Sequence, residues 1–261
     1  MLANYGFWLG IVSFACLLLE RIMPWRKEQR MLRPEITQDL FWFLFNGYTS
    51  YLVFAGLFAY INVGLDFSFL LIFKHTASSF KLISAYPLWL QIFIFLIVSD
   101  FLEWCIHNIL HRVGPFWKFH RVHHSIIIMD WIGNFRFHWV ETILYTALKY
   151  LPLAVLNAGW ETMLICAVIS TTIGHLNHSN LNISWGPLRY ILNSPRMHIW
   201  HHEKHKRGKS GVNFAVVFSF WDWVFNTAYM PSKPAMPESI GFANQNKVSS
   251  SLVMRFFLPF V

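Results

Sequence analysis

Charge is scarce in this 261-residue chain: Asp, Glu, Lys and Arg make up 13% of it. That excludes a disordered or highly solvated protein, and 55% hydrophobic with 18% aromatic residues is too apolar for an average soluble domain. Cysteine is also scarce. Cys16, Cys105 and Cys166 lie far apart in apolar stretches with no CxxC, which argues against a disulfide framework or a thiolate zinc site and for packing roles. No basic residue precedes Arg21 and no small-residue cleavage site is evident, so the first apolar stretch reads as a retained span rather than a secretory signal. Internal repeats, low-complexity segments, interdomain linkers and glycine-rich nucleotide motifs are not found in the sequence.

What remains is hydrophobic runs, basic loops and histidine. The net charge of +8 clusters between apolar spans, so a membrane accounts for it better than nucleic acid does. Tyr5 to Leu19, with the residues before it, is long enough for one crossing of roughly twenty residues. The next loop carries Arg21, Arg26, Lys27, Arg30 and Arg33, which by the positive-inside rule places it in the cytoplasm. Leu40 to Val63 reads as a second span with Trp42 and Tyr60 at its interfaces, and Phe67 to Phe73 as a short stretch lying in the interface. Only Lys74 and Lys81 charge the basic side of the following loop. Pro87 to about Ile106 is a third span. Ile143 to Ile173, broken by Pro152 and the turn from Asn157 to Glu161, reads as a tight hairpin of two short crossings or a re-entrant pair.

From His175 onward the chain is polar and basic, with Arg189, Arg196, Lys204, Lys206, Arg207 and Lys209. The expected architecture is all-α: a multi-pass membrane bundle of about four spans with a cytoplasmic, helical, His-rich cap holding a dimetal site. Residues 1–94 form the membrane anchor, 95–230 the catalytic domain and 231–261 a tail without a readable motif. The histidine clusters then face the cytoplasm, at a bacterial inner membrane or the endoplasmic reticulum.

Thirteen histidines are present, and five of them fall between residues 107 and 124. His107 and His111 are four apart and share a helix face, with Glu103 and Asp100 on the same line. His120, His123 and His124 form HxxHH, and so do His198, His201 and His202; at spacings of three and four, each trio can converge on one point. His175 and His178 complete four groups. Ten imidazoles exceed what one metal needs and suit two metals with about five ligands each, imidazole by itself leaving zinc, copper, iron and nickel open.

Asp100 and Glu103 are candidates to hold ligand imidazoles from behind; the bland alternative is an interfacial cap paired to Arg112. His138 reads as a ligand, a supporting partner or a headgroup contact. His75 and His205 sit outside ligand spacing and read as satisfied core residues, His205 alternatively as a solvated member of the basic run. His202-Glu203-Lys204-His205 is one residue short of HExxH, which weakens a zinc-hydrolase reading. A haem carrier would place single histidines on facing spans, and a metal-free scaffold would not need intact clusters.

In order along residues 95 to 230, the chain carries Asp100-x6-His107-x3-His111-Arg112, Trp117-x2-His120-x2-His123-His124-Ser125, Arg136-x-His138-x2-Glu141, His178-Ser-Asn180, Pro195-x2-His198-x2-His201-His202 and Trp221-Asp222-x2-Phe225-Asn-Thr227. This ordered set resembles the fatty acid hydroxylase/sterol desaturase superfamily of integral-membrane di-iron oxygenases. The sequence departs from the common pattern at Asn213-Phe-Ala, at Phe225-Asn-Thr and at Glu103 beside Trp104, without touching a histidine. The resemblance implies two iron ions on the ten clustered histidines, with Glu141 and Asp222 joining Asp100, Glu103 and His138 as supporting candidates. It also implies O2-dependent hydroxylation, desaturation or ether cleavage of a bilayer lipid. Two electrons would come from a separate cytochrome b5, ferredoxin or reductase, or from a pterin in the ether-lipid branch, with no nucleotide bound to this chain.

Overall fold

A computed structural model of the chain describes residues 4–76, 82–205, 207–208 and 210–257. Lys81, Lys206 and Lys209 of the charge pattern lie outside the described residues. The described residues are helical, with two isolated β-bridges and no strand. Helix α1 (Tyr5–Ile22) starts where the Asn4 side chain accepts from the Gly6 amide at 2.8 Å. A short α2 (Ile36–Leu44) passes through a π-helical turn, Phe45–Thr49, into α3 (Ser50–Phe73). Helix α4 (Leu88–Arg112) begins after Pro87, runs 25 residues without glycine or proline, and stops before Gly114-Pro115. Helices α5 (Gly114–His120), α6 (Trp139–Val155), α7 (Trp160–His178), α8 (Pro195–His201), α9 (Phe220–Val224) and α10 (Leu252–Phe257) follow.

Among the described residues, α1 and α4 are the helices long and apolar enough to cross a membrane. The stretch Phe67 to Phe73 is the last part of α3 and continuous with it from Ser50, with no proline to interrupt the helix. Trp42 is fully buried and stacks on Phe256 at 5.7 Å, so it is a core residue and not an interface marker. The hairpin expected from Asn157 to Glu161 is the α6–α7 connection, where Asn157 takes a left-handed φ of 51°.

Helix α7 is central. It packs against α1, α4, α8 and the 3-10 turn Trp131–Phe135. Gly174 permits the last approach: a Cβ there would lie 2.8 Å from the Asn134 side-chain oxygen. An apolar core of Phe95, Leu96, Leu153, Cys166 and Val217 joins α4, α6 and α7 below the histidines. Cys16 and Cys166 are buried free thiols and Cys105 a half-buried one, in keeping with packing roles.

Away from this core, a buried ionic knot ties three distant segments. Arg33 pairs with Asp130 at 2.5 Å and with Asp39 at 2.6 Å; Arg136 pairs with Asp39 and with Glu35 at 2.8 Å; Arg255 pairs with Glu35 at 3.1 Å. Three arginines and three carboxylates balance, which is what allows such charges inside a fold. Arg255 brings the C-terminal tail into the core, although that tail carries no readable motif.

Candidate metal centre

Five elements deliver imidazoles to one buried space. His107 and His111 project from successive turns of α4. His120 ends α5, and His123 and His124 follow in a 3-10 turn. His178 ends α7. His198 and His201 lie on α8, whose start is fixed by Pro195 at the first helical position and by Ser194, which accepts from the Met197 amide at 3.3 Å. His202 caps that helix.

These histidines form two nests. The first holds His107, His111, His120, His124 and His201; the second holds His123, His178, His198 and His202. Within each nest the nearest ligand atoms lie within 4.8 Å of one another, and all nine residues are buried. Each HxxHH is therefore divided, contrary to convergence of the trio on one point. The residues four apart, His120 with His124 and His198 with His202, stay together, while the third member faces the neighbouring nest. The nests adjoin: the rings of His124 and His202 stack at 4.5 Å.

The proton positions show what this space requires. His107 Nδ1 lies 2.6 Å from the Phe214 carbonyl oxygen, His178 Nδ1 2.9 Å from that of Gly174, and His201 Nδ1 2.9 Å from that of Val212. A carbonyl only accepts, so the imidazole donates and its Nε2 keeps a lone pair. His120 Nδ1 likewise donates to Glu141 Oε1 at 2.6 Å. Yet His107 Nε2 and His120 Nε2 face each other at 3.1 Å, and His178 Nε2 lies 3.2 Å from His123 Nε2 and 3.3 Å from His198 Nε2. The Nδ1 protons of His107 and His120 leave their two lone pairs directed at each other, and these repel unless a cation lies between them. Protons cannot fill that role cheaply. Burial, reinforced by the neighbouring imidazoles, pushes His123, His124, His198, His201 and His202 well below the usual imidazole range. The donor set thus fits metal ions bound by neutral imidazoles, four of which, His107, His120, His178 and His201, have the far nitrogen already held.

The carboxylates divide by role. Glu141, fully buried on the first turn of α6, holds a ligand-forming histidine directly. Asp100 and Glu103 do not. Asp100 accepts from the Val217 and Phe218 amides at 2.8 and 2.9 Å and from Trp221 Nε1 at 3.0 Å, and Glu103 pairs with Lys149 rather than with Arg112. Asp222 also acts at one remove: it accepts from the Phe214 and Ala215 amides, Trp104 Nε1 and the Thr227 hydroxyl at 2.6 to 3.0 Å. It thereby fixes the segment whose Phe214 carbonyl orients His107. Burial pushes the Asp222 carboxyl upward, and these hydrogen bonds oppose the shift.

His138 is a helix cap, its Nδ1 accepting from the Val140 amide at 3.1 Å. His175 lies outside both nests. Its Nε2 meets the Ser13 hydroxyl and its Nδ1 the Asn134 side chain, each at 3.0 Å, among Phe43, Trp131 and Phe135. Three residues before His178 on α7, it points away to α1 instead. His75 and His205 are exposed rather than core. With His205 outside both nests and Glu203 paired to Arg207 at 2.7 Å, the near-HExxH sequence does not assemble a zincin-like site.

Several supporting residues carry no ligand spacing and escape a reading of the sequence. Val212 and Phe214 act through backbone carbonyls, to which any side chain is indifferent. Their segment is set by Asn213, which adopts φ 58° and donates to the Met197 and Tyr229 carbonyls at 2.7 Å. Glu20, at the end of α1, accepts from the Trp131 and Asn180 amides at 2.9 and 2.7 Å and so joins the first helix to the cap.

Fold and site together define an all-helical protein built around a buried, two-nest polyhistidine centre. Comparison with known sequences gives that class its name: the Fatty acid hydroxylase profile matches residues 92–227, and the chain belongs to this family. An ornithine lipid hydroxylase of Rhizobium tropici is 30% identical over 175 residues, covering 67% of this chain and 52% of the relative. Methylsterol monooxygenase 1-1 of Arabidopsis thaliana is 24% identical over 52% of this chain and 46% of its own length. Alkylglycerol monooxygenase of Caenorhabditis elegans is 24% identical over 64% and 32%, respectively. The chain thus spans about half the length, or less, of these relatives. No solved structure matches it.

Proposed function

We propose that this chain is an integral-membrane di-iron oxygenase that uses O2 and two external electrons to hydroxylate or desaturate a C–H bond of a lipid. The observation that carries the reading is the gathering of nine buried imidazoles into two adjoining nests, with the facing Nε2 lone pairs of His107 and His120 fixed by Phe214 and Glu141. His107, His111, His120, His124 and His201 would hold one iron, and His123, His178, His198 and His202 the other. Bound there, the iron pair would supply the activation of dioxygen and the attack on an unactivated C–H bond. The chain supplies neutral ligands, a fixed orientation through the Nδ1 acceptors, and exclusion of bulk water by complete burial.

The names of the relatives support a lipid substrate, and α1 and α4 support arrival of that substrate from a bilayer. The proposed topology has four spans, formed by α1, the α2–α3 segment, α4 and the α6–α7 hairpin, with the histidines on the cytoplasmic side. Residues 95–230 form the catalytic unit. Electrons come from a separate cytochrome b5, ferredoxin or reductase, for whose acidic surface the basic cap is complementary.

The test is a lipid comparison. Membranes from cells expressing the chain or its His123→Ala/His201→Ala variant are grown under heavy-isotope dioxygen and analysed by mass spectrometry. A lipid that gains one heavy oxygen atom, or that loses two hydrogens, only with the intact chain supports the reading. Identical lipidomes in cells where the chain retains its iron would contradict it.

A further inference from the structure

We infer that the 3-10 turn Gly186–Tyr190 and helix α9, although outside every apolar run of the sequence, form a membrane-dipping foot that enters the acyl region of the cytoplasmic leaflet. This rests on the membrane reading of α4. At ~1.5 Å per residue, a hydrocarbon core of about 30 Å that begins near Leu88 ends near His107. Asp100 then lies about 10 Å inside that boundary and Trp104 about 5 Å inside it.

The foot is bonded to α4 at that depth. Asp100 receives the Val217 and Phe218 amides and Trp221 Nε1, and the Phe225 ring stacks on Trp104 at 4.6 Å. Backbone that is not part of a spanning helix survives at membrane depth only if its polar groups are satisfied by protein. Here they are. Asn193 N donates to the Val217 carbonyl and Asn193 Nδ2 to that of Ala215, while the Ser219 hydroxyl and Trp223 Nε1 both donate to the Arg189 carbonyl. This gives the buried carboxylate within α4 a purpose that does not involve the metals.

What the foot turns outward is apolar. Leu188, Tyr190, Ile191, Phe220, Val224 and Phe225 are each about half exposed, with values of 47 to 52%. The patch joins the two elements into one surface, with Tyr190 against Trp223 at 4.8 Å. Asp222 is the one carboxylate in residues 181–194 and 215–228, and it is buried, so no exposed negative charge opposes anionic headgroups. Arg189 lies along the Tyr190 ring and donates to its hydroxyl at 2.9 Å, an arrangement in which its guanidinium can reach headgroups from the edge. Aromatic rings beside such a cation are the composition of interfacial anchors. The occupant of the patch is the bilayer itself.

The test places single spin labels on the metal-loaded full chain in phosphatidylcholine/phosphatidylglycerol vesicles, with Cys16, Cys105 and Cys166 replaced. Labels go at Leu188→Cys and Val224→Cys on the foot, at Phe93→Cys on α4 as the lipid reference, and at His205→Cys as the aqueous reference. His205 is exposed at the rim of an open pocket with Trp117, beyond the end of α4. Collision with dissolved oxygen is compared with collision with a water-soluble nickel complex. The expected result is a shift at residues 188 and 224 from the water-soluble to the lipid-soluble reagent, matching residue 93. Aqueous behaviour at 188 and 224 with residue 93 in lipid overturns the foot and leaves the membrane reading standing. Aqueous behaviour at residue 93 overturns that reading and the foot with it. Protection from both reagents, with spin–spin broadening, would make the patch a contact between two copies and also overturn the inference.

Discussion

Replacing Asp39 by alanine is expected to lower stability by about 3–5 kcal/mol, the usual consequence of removing one partner from a buried ionic cluster. Asp39 is completely buried and bridges Arg33 and Arg136. Its loss leaves three arginines facing two carboxylates where water cannot compensate. The effect reaches the site. Asp130 opens the 3-10 turn that packs on α7, and Arg136 donates to the Ser125 hydroxyl at 3.2 Å, one residue beyond His124. The comparison that gives this result its meaning is Glu103→Gln. The Glu103–Lys149 pair lies outside the knot and is less completely buried, 13% exposed on each side, so its removal should cost less. The measurement is the thermal unfolding midpoint of each variant in the same detergent. Equal shifts for the two variants would contradict a special role for the knot.

Glu141→Ala is expected to weaken metal retention about 10- to 100-fold while leaving the nine imidazoles in place. The carboxylate accepts the Nδ1 proton of His120, whose Nε2 faces those of His107 and His111 at 3.1 and 3.0 Å. Without it, the tautomer that directs a lone pair into the first nest is no longer enforced, and a buried N–H has lost its acceptor. Titration of the loaded protein with a chelator should release one metal at lower chelator concentration and the other at an unchanged one, because Glu141 touches no member of the second nest. Simultaneous loss of both would mean that the nests act as one site. The conservative Glu141→Gln retains an acceptor oxygen and should fall between the two.

Nine of the ten clustered histidines meet in the nests, and their spacing was legible because it is a local property of a helix. His107 and His111, or His198 and His202, are neighbours wherever the helix goes. How the boxes are shared between the nests was not legible, since it depends on how α5, α7 and α8 cross, and crossing is tertiary. His175 shows the limit of proximity as an argument. It sits in the motif-rich stretch, yet three residues from His178 is far enough around α7 to turn it to Ser13. Asp100 shows the limit of chemical type: a carboxylate beside histidines is a natural support for them, but its partners come from residues 217, 218 and 221, far along the chain. The helices long and apolar enough to cross a membrane, α1 and α4, were readable from composition. The end of α3 and the buried Trp42 were not, since helix continuity and contact with Phe256 depend on neighbours that hydropathy does not see.

The claim that two metals occupy two histidine nests is tested most directly by the metal content of the purified full chain from iron-supplemented cells. The intact chain, His123→Ala/His201→Ala and His175→Gln are compared. The double variant removes one ligand from each nest, whereas His175 belongs to neither. The account predicts about two irons per chain in the intact protein and in His175→Gln, as two ligand sets require, and their loss in the double variant. One zinc and no iron, or metal lost from His175→Gln as completely as from the double variant, would contradict it.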